Sequence, residues 1–219
     1  MERLREVLAF VNHKGGVGKT TTVQSLAAGL RLYGKGKFGV DADGHKRLPR
    51  VLIIDLDPQA CASFLFGWSE TQNVGKPTVY DALVQQSNLP IYRVREGIYL
   101  APAASRLISI EPFLNQRAVP RKVLYRLLAK PLNELSGTEL ADEGVTTVTE
   151  AFDYVLIDCP PAMSLLTYNA LTAATSVVLP VQLEVLATKG IAEIINAIEE
   201  TREDLNPDLD IRGLLMVMS

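Results

Sequence analysis

A glycine-rich segment near the N-terminus constrains this chain more than any other feature of its sequence. Residues 14–21 read KGGVGKTT, directly after an apolar run at Val7–Val11 and where a helical pattern at Thr20–Tyr33 begins. Apolar residues in that pattern recur at three- and four-residue spacing, which predicts an amphipathic helix. A strand, a glycine-rich turn and a helix in this order bring backbone N–H groups together around a phosphate. The sequence therefore predicts a phosphate-binding loop after the first strand.

The residues of this loop have separate predicted roles. The backbone of the glycines surrounds the phosphate oxygens, the Lys19 ammonium reaches the β- and γ-phosphates, and the Thr20 hydroxyl binds Mg²⁺. The standard pattern G-x-x-x-x-G-K-[ST] is not met, because His13 occupies the position of its first glycine and a second lysine follows. The predicted nucleotide-binding residues are Lys14, Gly15, Gly16, Val17, Gly18, Lys19, Thr20 and Thr21.

Short apolar runs recur along the rest of the chain, with a helical pattern at Thr188–Leu205 among the segments between them. Strands that are apolar throughout are typical of a parallel sheet with helices on both faces. We therefore predict a single α/β domain over residues 1–219, of the P-loop NTPase class, with a mostly parallel sheet. The runs after the first lie at Val51–Leu56, Ile98–Pro102, Tyr154–Asp158, Ser176–Val181 and Ile211–Met218.

Acidic residues end two of these predicted strands. Asp55 and Asp57 lie in the segment DLDPQ, and Asp158 ends the segment YVLID. Ligands of parallel sheets bind beyond the carboxyl ends of the strands, so these carboxylates are expected beside the phosphate loop. There Asp158 would hold Mg²⁺ through water, and the other two suit outer-shell metal binding and the positioning of an attacking water. A pair such as Asp55 and Asp57 is also typical of a helix N-terminus.

Composition bounds the class of protein. Hydrophobic residues make up 47% of the chain and charged residues 21%, which is typical of a soluble globular domain. No apolar run is long enough to span a bilayer, so we expect a cytoplasmic protein without membrane binding. The net charge of −3 means that DNA binding would need a local basic patch. The candidate patch, which is either a solvated helix face or a DNA contact, contains Arg121, Lys122, Arg126 and Lys130.

Two segments lack a clear pattern. The connection Gly34–Arg50 is longer than ordinary connections in α/β domains, so we predict an inserted surface loop. Within it, Asp41–Gly44 lacks the downstream acidic ligand that a calcium loop requires. The acidic stretch Leu135–Glu150 is predicted to be a loop or a short hairpin. The two cysteines, Cys61 and Cys159, are predicted to be buried free thiols.

The segment Lys14–Thr20 resembles the deviant Walker A motif of the ParA/MinD family. In that family the early lysine reaches across an ATP-bound homodimer to the partner's phosphates, so the resemblance implies this role for Lys14. The segment DLDPQ is similar to the family's DxDPQ motif, and Asp158–Pro161 is similar to its DxPP motif. By the resemblance, Asp55 supports the Mg²⁺ shell and Asp57 orients the water. The catalytic set is then Lys14, Lys19 and Asp57, and the metal set is Thr20, Asp55 and Asp158.

The Pro-Gln pair after Asp57 favours the ParA branch over MinD. The resemblance then implies an ATP hydrolase, with ATP and Mg²⁺, whose ATP-dependent homodimer partitions plasmid or chromosomal DNA. It implies a ParB-like centromere-binding adaptor and, where DNA binding is retained, association with the nucleoid. Gln182 and Glu184 are expected at the interface or in a switch. Cys61 and Cys159 do not match the cluster cysteines of the nitrogenase iron protein, which shares the deviant loop.

The C-terminus departs from the family pattern. ParA-type chains continue past a strand such as Ile211–Met218, whereas this sequence stops at Ser219. We therefore expect a domain that lacks the usual C-terminal elements, which puts nonspecific DNA binding in question. Two alternatives stay open: an ATP-binding scaffold or regulatory module with little hydrolysis, and a positioning ATPase for a cargo other than DNA.

Overall fold

The computed structural model of the chain describes residues 6–34, 47–130, 132, 147–182 and 189–217. Most of the predicted Gly34–Arg50 loop, including Asp41–Gly44, lies outside the described residues. The same holds for most of Leu135–Glu150 and for Glu184, so the predictions for these segments stay predictions.

A seven-stranded sheet lies at the centre of the molecule, in the order β3-β4-β2-β5-β1-β6-β7. Every neighbouring pair is parallel except β3 and β4, which are antiparallel. The predicted α/β class with a mostly parallel sheet is therefore confirmed. In chain order the strands are β1 (Glu6–Phe10), β2 (Val51–Asp55), β3 (Tyr92–Arg95), β4 (Ile98–Ala101), β5 (Tyr154–Asp158), β6 (Ser176–Val181) and β7 (Asp210–Met216).

The edge strand β3 is the one strand of this sheet that the apolar runs do not predict. Its residues alternate between half-buried and exposed, and two of them are arginines. A hairpin joins β3 to β4 through Gly97, whose φ of 65° favours glycine. Sequence patterns for buried parallel strands miss such a strand, because one of its faces is solvated.

Helices cover both faces of the sheet. Short 3₁₀ turns lie at Ser105–Ser109 and Pro120–Lys122, and no described helix is long and apolar enough to cross a membrane. The helices are α1 (Lys19–Tyr33), α2 (Cys61–Leu65), α3 (Val79–Gln85), α4 (Glu111–Asn115), α5 (Val123–Leu128), α6 (Val148–Ala151), α7 (Leu165–Ala173) and α8 (Lys189–Asp204).

The core has two layers, one on each face of the sheet. Successive side chains of a strand point to opposite faces, so Leu52 and Ile54 of β2 pack on one side while Ile53 packs on the other. The first layer also contains apolar side chains from α3 to α8, and the second contains Val23 of α1 and Ala62 of α2. The phosphate loop and α2 therefore lie at the edge of the sheet where the carboxyl ends of β1, β2 and β5 meet.

The basic residues between positions 121 and 130 do not form one open stripe. They extend over a 3₁₀ turn, α5 and the residues after it. The Arg121 guanidinium lies 2.5 Å from the Glu200 carboxylate and 4.0 Å from the centre of the Tyr168 ring. The Lys130 ammonium donates a hydrogen bond to the Gln86 carbonyl oxygen. These internal contacts favour a structural role for Arg121 and Lys130 over a DNA-contacting one.

Candidate nucleotide-binding site

Residues that follow three central strands meet at one cavity. β2 and β5 pair in register, with Asp55 opposite Asp158, and β1 lies on the other side of β5. The cavity has a volume of about 830 Å³. Its lining contains the loop residues Gly15, Gly16, Gly18, Lys19, Thr20 and Thr21, together with residues after β2 that include Asp57, Gln59, Cys61, Phe64, Leu65 and Trp68.

The phosphate loop needs its glycines for conformational reasons. Gly16 and Gly18 have φ values of 73° and 78°, in the left-handed region that residues with side chains rarely adopt. Gly18 directly precedes α1, and its carbonyl oxygen accepts hydrogen bonds from the N–H and the hydroxyl of Thr22. The first turn of α1 therefore presents its N–H groups and positive dipole end to the cavity, which suits an anion.

Lys19 is largely enclosed by the loop. The residue is 6% exposed, and its ammonium donates a hydrogen bond to the Lys14 carbonyl oxygen at 3.2 Å. Burial lowers the pKa of Lys19, and the negative charge of Asp158 opposes that shift. A buried ammonium whose partner is a carbonyl has donors left for phosphate oxygens. The geometry therefore agrees with the predicted role of Lys19.

Thr20 lines the cavity and is bonded to Asp158, the other residue for which a role in binding Mg²⁺ is predicted. The Thr20 hydroxyl donates to Oδ2 of Asp158 at 2.7 Å, while Oδ1 of Asp158 is buried and has no hydrogen-bond partner within the described residues. Burial raises the pKa of Asp158 to about 7, and the neighbouring Asp55 charge adds to this shift. A hydroxyl and an unpaired carboxylate oxygen next to a phosphate loop fit Mg²⁺, whose cationic charge would stabilise the ionised form.

Asp55 lies beneath the cavity and organises the segment that follows β2. Its Oδ2 accepts hydrogen bonds from both the backbone N–H and the hydroxyl of Ser63, and its Oδ1 accepts from the N–H of Asp57. Burial raises the pKa of Asp55 to about 6, against the lowering effect of the Ser63 bonds. The structure therefore gives Asp55 a role in holding α2, and its predicted support of the Mg²⁺ shell stays a prediction.

Ser63 is a site residue that the sequence analysis missed. Its hydroxyl donates to Asp55 and accepts from the N–H of Ala103, just beyond β4, at 3.0 Å. One serine thus ties α2 to the ends of two strands. Nothing in the local sequence distinguishes this serine from a surface residue, because its partners are distant along the chain.

Asp57 lies at the cavity wall and is half-buried. Its Oδ1 accepts a hydrogen bond from the Gln59 N–H at 2.9 Å, which shapes the turn before α2. Ala60 completes that turn with a φ of 52°. Asp57 is thus held at the cavity wall by a hydrogen bond within its own turn, and its predicted role in orienting water stays a prediction.

Lys14 differs from Lys19 in its surroundings. Lys14 is exposed and does not line the cavity, and its ammonium donates to Oε1 of Gln182 at 3.1 Å. Its backbone N–H donates to Oδ1 of Asn12. The other predicted nucleotide-binding residue that does not line the cavity is Val17, whose side chain is fully buried, so only its backbone is suited to bind phosphate.

The cysteines match the prediction only in part. Cys159 is buried and free, as predicted, but the predicted burial of Cys61 is wrong, because this free cysteine is exposed at the cavity wall. The sequence could not show this, since α2 is short and lies at the edge of the sheet. Among the described residues, no group of three or more His, Cys, Asp and Glu side chains could hold a metal ion.

Comparison with known proteins gives a consistent result. A family model described as an AAA domain matches residues 5–211. The chain is 36% identical to the chromosome partitioning protein ParA of Caulobacter vibrioides, over 97% of this chain and 69% of that protein. It is 35% identical to the sporulation initiation inhibitor protein Soj of Bacillus subtilis, over 97% of this chain and 72% of that protein.

A solved structure shares both the fold and part of the sequence. This is the cobyrinic acid a,c-diamide synthase of Mycobacterium smegmatis with a bound ATP analogue and magnesium. It has a TM-score of 0.75 and 34% identity, over 97% of this chain and 74% of that chain.

Proposed function

The chain belongs to the ParA family of P-loop ATPases, and from that premise we propose that ATP acts on it as a switch for dimerisation in DNA partitioning. In this proposal ATP and Mg²⁺ bind in the cavity, and the ATP-bound chain pairs with a second copy. Hydrolysis then separates the two copies and changes their affinity for partners.

The different positions of the two loop lysines carry this proposal. Lys19 is buried in the loop and suited to the phosphates of its own nucleotide, whereas the Lys14 ammonium lies outside the cavity in contact with Gln182. A second cation that does not serve its own site is available to the nucleotide of another copy. In the desolvated interface of a dimer it would stabilise charge on the γ-phosphate.

Apolar side chains at the cavity also support pairing. Phe64 and Leu65 of α2 line the cavity and are 73% and 43% exposed. Exposed apolar residues that adjoin a ligand site are typical of a surface covered by a partner. A second copy placed against this side would bury them and close the cavity to bulk water.

Several residues of the site have a defined part in the proposed reaction. Lys19 and the N–H groups of the first α1 turn bind the phosphates, and Thr20 with Asp158 holds Mg²⁺, which would neutralise charge as the γ-phosphate leaves. Asp57, which lines the cavity, orients the attacking water. Burial of Asp55 and Asp158 beneath these groups keeps the metal side of the cavity fixed.

The proposed partners follow from the family. We expect a ParB-like centromere-binding adaptor that stimulates hydrolysis, and nonspecific plasmid or chromosomal DNA bound by the dimer. The relative from Caulobacter vibrioides described above is named a chromosome partitioning protein, which supports this kind of cargo. A protein with these partners would act in the cytoplasm, at the nucleoid.

The switch is tested by exchanging Lys14 for alanine. We expect Lys14→Ala to bind ATP within about threefold of the original protein, because Lys19 and the loop backbone are retained. Its ATP-dependent dimer should weaken more than about a hundredfold, since the dimer loses two charge-assisted contacts to phosphate, each worth about 1.5–3 kcal/mol. Light scattering with no nucleotide, with ADP–Mg²⁺ and with a slowly hydrolysed ATP analogue gives the measurement.

Lys76 supplies a matched control, because this exposed lysine contacts Asn73 and lies over the Trp68 and Tyr92 rings rather than in the loop. Lys76→Ala should dimerise like the original protein. A Lys14→Ala variant that forms the ATP-dependent dimer at the original concentration would rule out the proposed cross-subunit role.

The enzymatic part of the proposal is tested at Asp57. Removal of a residue that orients the attacking group reduces hydrolysis by about 10²-fold or more. We therefore expect Asp57→Ala to release phosphate roughly a hundredfold more slowly while it still binds ATP and dimerises. Phosphate release is measured with and without DNA and adaptor. An original protein that binds ATP but shows no turnover under any of these conditions would instead be an ATP-binding module.

A further inference from the structure

Three consecutive residues at the start of the phosphate loop contact the end of β6, Gln182 and the first turn of α8. Asn12 donates through Nδ2 to the Pro180 carbonyl oxygen at 2.6 Å, and Lys14 donates through Nζ to Oε1 of Gln182 at 3.1 Å. The ring of His13 packs against Gly190 in the first turn of α8. The position of the start of the phosphate loop therefore depends on contacts with residues 168 positions later in the chain.

Asn12 fixes the backbone of Lys14. Its side chain is buried, and its Oδ1 accepts the Lys14 N–H at 2.9 Å while its Nδ2 holds the end of β6. The same amide thus bonds to the Lys14 backbone and to the backbone of β6 two residues before Gln182. Because both backbones bond to one buried side chain, the Lys14 and Gln182 side chains begin close together and can form a hydrogen bond.

His13 closes the other side of this contact. A Cβ atom at Gly190 would overlap the His13 imidazole, so the ring occupies the space next to the α8 backbone. The ring therefore limits how far the start of α8 can approach the loop. On the side of β6, the Gln182 amide oxygen lies within reach of the Lys14 ammonium.

We propose that Gln182 is a positioning residue that holds the Lys14 ammonium on its own chain until a second copy binds. This inference rests on the proposed cross-subunit role of Lys14. In the single chain the amide oxygen of Gln182 and the γ-phosphate of a second copy compete for one ammonium. For its ammonium to reach the γ-phosphate of a second copy, the Lys14 side chain has to move away from Gln182, so the Lys14–Gln182 hydrogen bond opposes pairing.

The competition has a limited size. A hydrogen bond between a charged group and an exposed amide adjusts an equilibrium by about threefold to tenfold rather than abolishing it. Gln182 is thus expected to tune dimerisation, whereas Lys14 itself is required for it. That difference in size separates a positioning residue from one that contacts the nucleotide.

Two substitutions of Gln182 act in opposite directions. Gln182→Met keeps the length of the side chain but removes the acceptor, and Gln182→Glu adds a negative charge beside the ammonium. With a slowly hydrolysed ATP analogue, the methionine variant should dimerise about threefold more tightly and the glutamate variant about fivefold more weakly. Affinity for ADP in the single chain should change less than twofold in both, because neither variant touches the cavity.

A measurement on the nucleotide-free protein reports on the contact directly. An amine-reactive ester, followed by peptide mass spectrometry, gives the modification rate of Lys14, with the exposed Lys76 as internal reference. The rate at Lys14 should rise about threefold in Gln182→Met and fall about threefold in Gln182→Glu. Gln116→Glu controls for added charge, since Gln116 is exposed at the end of α4.

The outcomes separate this inference from the proposed function. If Lys14→Ala fails to dimerise while both Gln182 variants react at Lys14 and dimerise like the original protein, the positioning role is wrong and the proposed function stands. If Gln182→Met dimerises more weakly, Gln182 supports the dimer and the restraining role is overturned. If Lys14→Ala dimerises normally, the cross-subunit role itself fails.

Discussion

Two parts of the nucleotide site differ in how they are held: an inner wall, made of Lys19, Thr20 and Asp158, and an outer side at the rim, which includes Lys14 and Phe64. On the inner wall, Lys19, Thr20 and Asp158 are buried or half-buried and are bonded to their own chain. On the outer side, Lys14 and Phe64 are exposed. The inner wall is arranged to bind a nucleotide in a single chain, whereas the outer side leaves apolar surface exposed and holds its lysine through Gln182.

This difference indicates which residues of a P-loop domain can serve as a nucleotide-dependent switch. Groups that bind the phosphates must be fixed in advance, because any freedom they lose on binding weakens affinity. Groups that report on the nucleotide to a partner have to stay accessible. The boundary between the two sets passes through one short loop, between Lys14 and Lys19.

The largest expected effect breaks the inner wall. Lys19→Ala removes about two charge-assisted hydrogen bonds to phosphate, each worth about 2 kcal/mol, and should weaken ATP binding roughly thousandfold. Lys14→Ala is the matched control, because it removes the same charge from the outer side. Calorimetric titration of both variants with ATP–Mg²⁺ makes the comparison. Equal losses of affinity would show that the two lysines serve one site.

A second prediction sharpens the description of the inner wall through its buried charge. The pKa of Asp158 is about 7 in the folded protein, above its ordinary value of 3.8. Between these pH values the folded chain keeps a proton that the unfolded chain has lost, so the free energy of unfolding falls as the pH rises through 7. Burial of Asp55, with a pKa of about 6, acts in the same direction.

Asp158→Asn removes the titration but keeps an acceptor for Thr20. Its free energy of unfolding relative to the original protein should rise by about 2 kcal/mol between pH 5 and pH 8, less than the full shift would give because Asp55 titrates nearby. Urea unfolding without nucleotide and with a chelator measures this. A constant difference across this range would mean that the Asp158 pKa is ordinary.

The smallest expected effect tests the outer side. Phe64→Ala should weaken the ATP-dependent dimer about tenfold, because the partner would no longer bury this ring. ATP binding by the single chain should be unchanged. Ile108→Ala is the control, since Ile108 is 79% exposed but does not line the cavity. Sedimentation of both variants decides whether α2 belongs to the interface, and equal dimer affinities would exclude it.

Sequence patterns predicted the inner wall better than the outer side. The phosphate loop and the carboxylates Asp55 and Asp158 are adjacent to buried strands, whose apolar runs are easy to recognise and whose register places them together. The exposure of Cys61 and the Ser63 contacts depend instead on how α2 docks on the sheet. That docking is fixed by hydrogen bonds between distant residues, which no local pattern contains.

The contact between His13 and Gly190 also limits how this sequence can change over time. With the His13 imidazole in its present position, a Cβ atom at residue 190 would overlap the ring, so a side chain there requires the ring to move. A smaller residue at position 13 would relax that restriction and would also loosen the start of α8. Among descendants of this chain, substitutions at the two positions should therefore occur together, with the change at position 13 arising first.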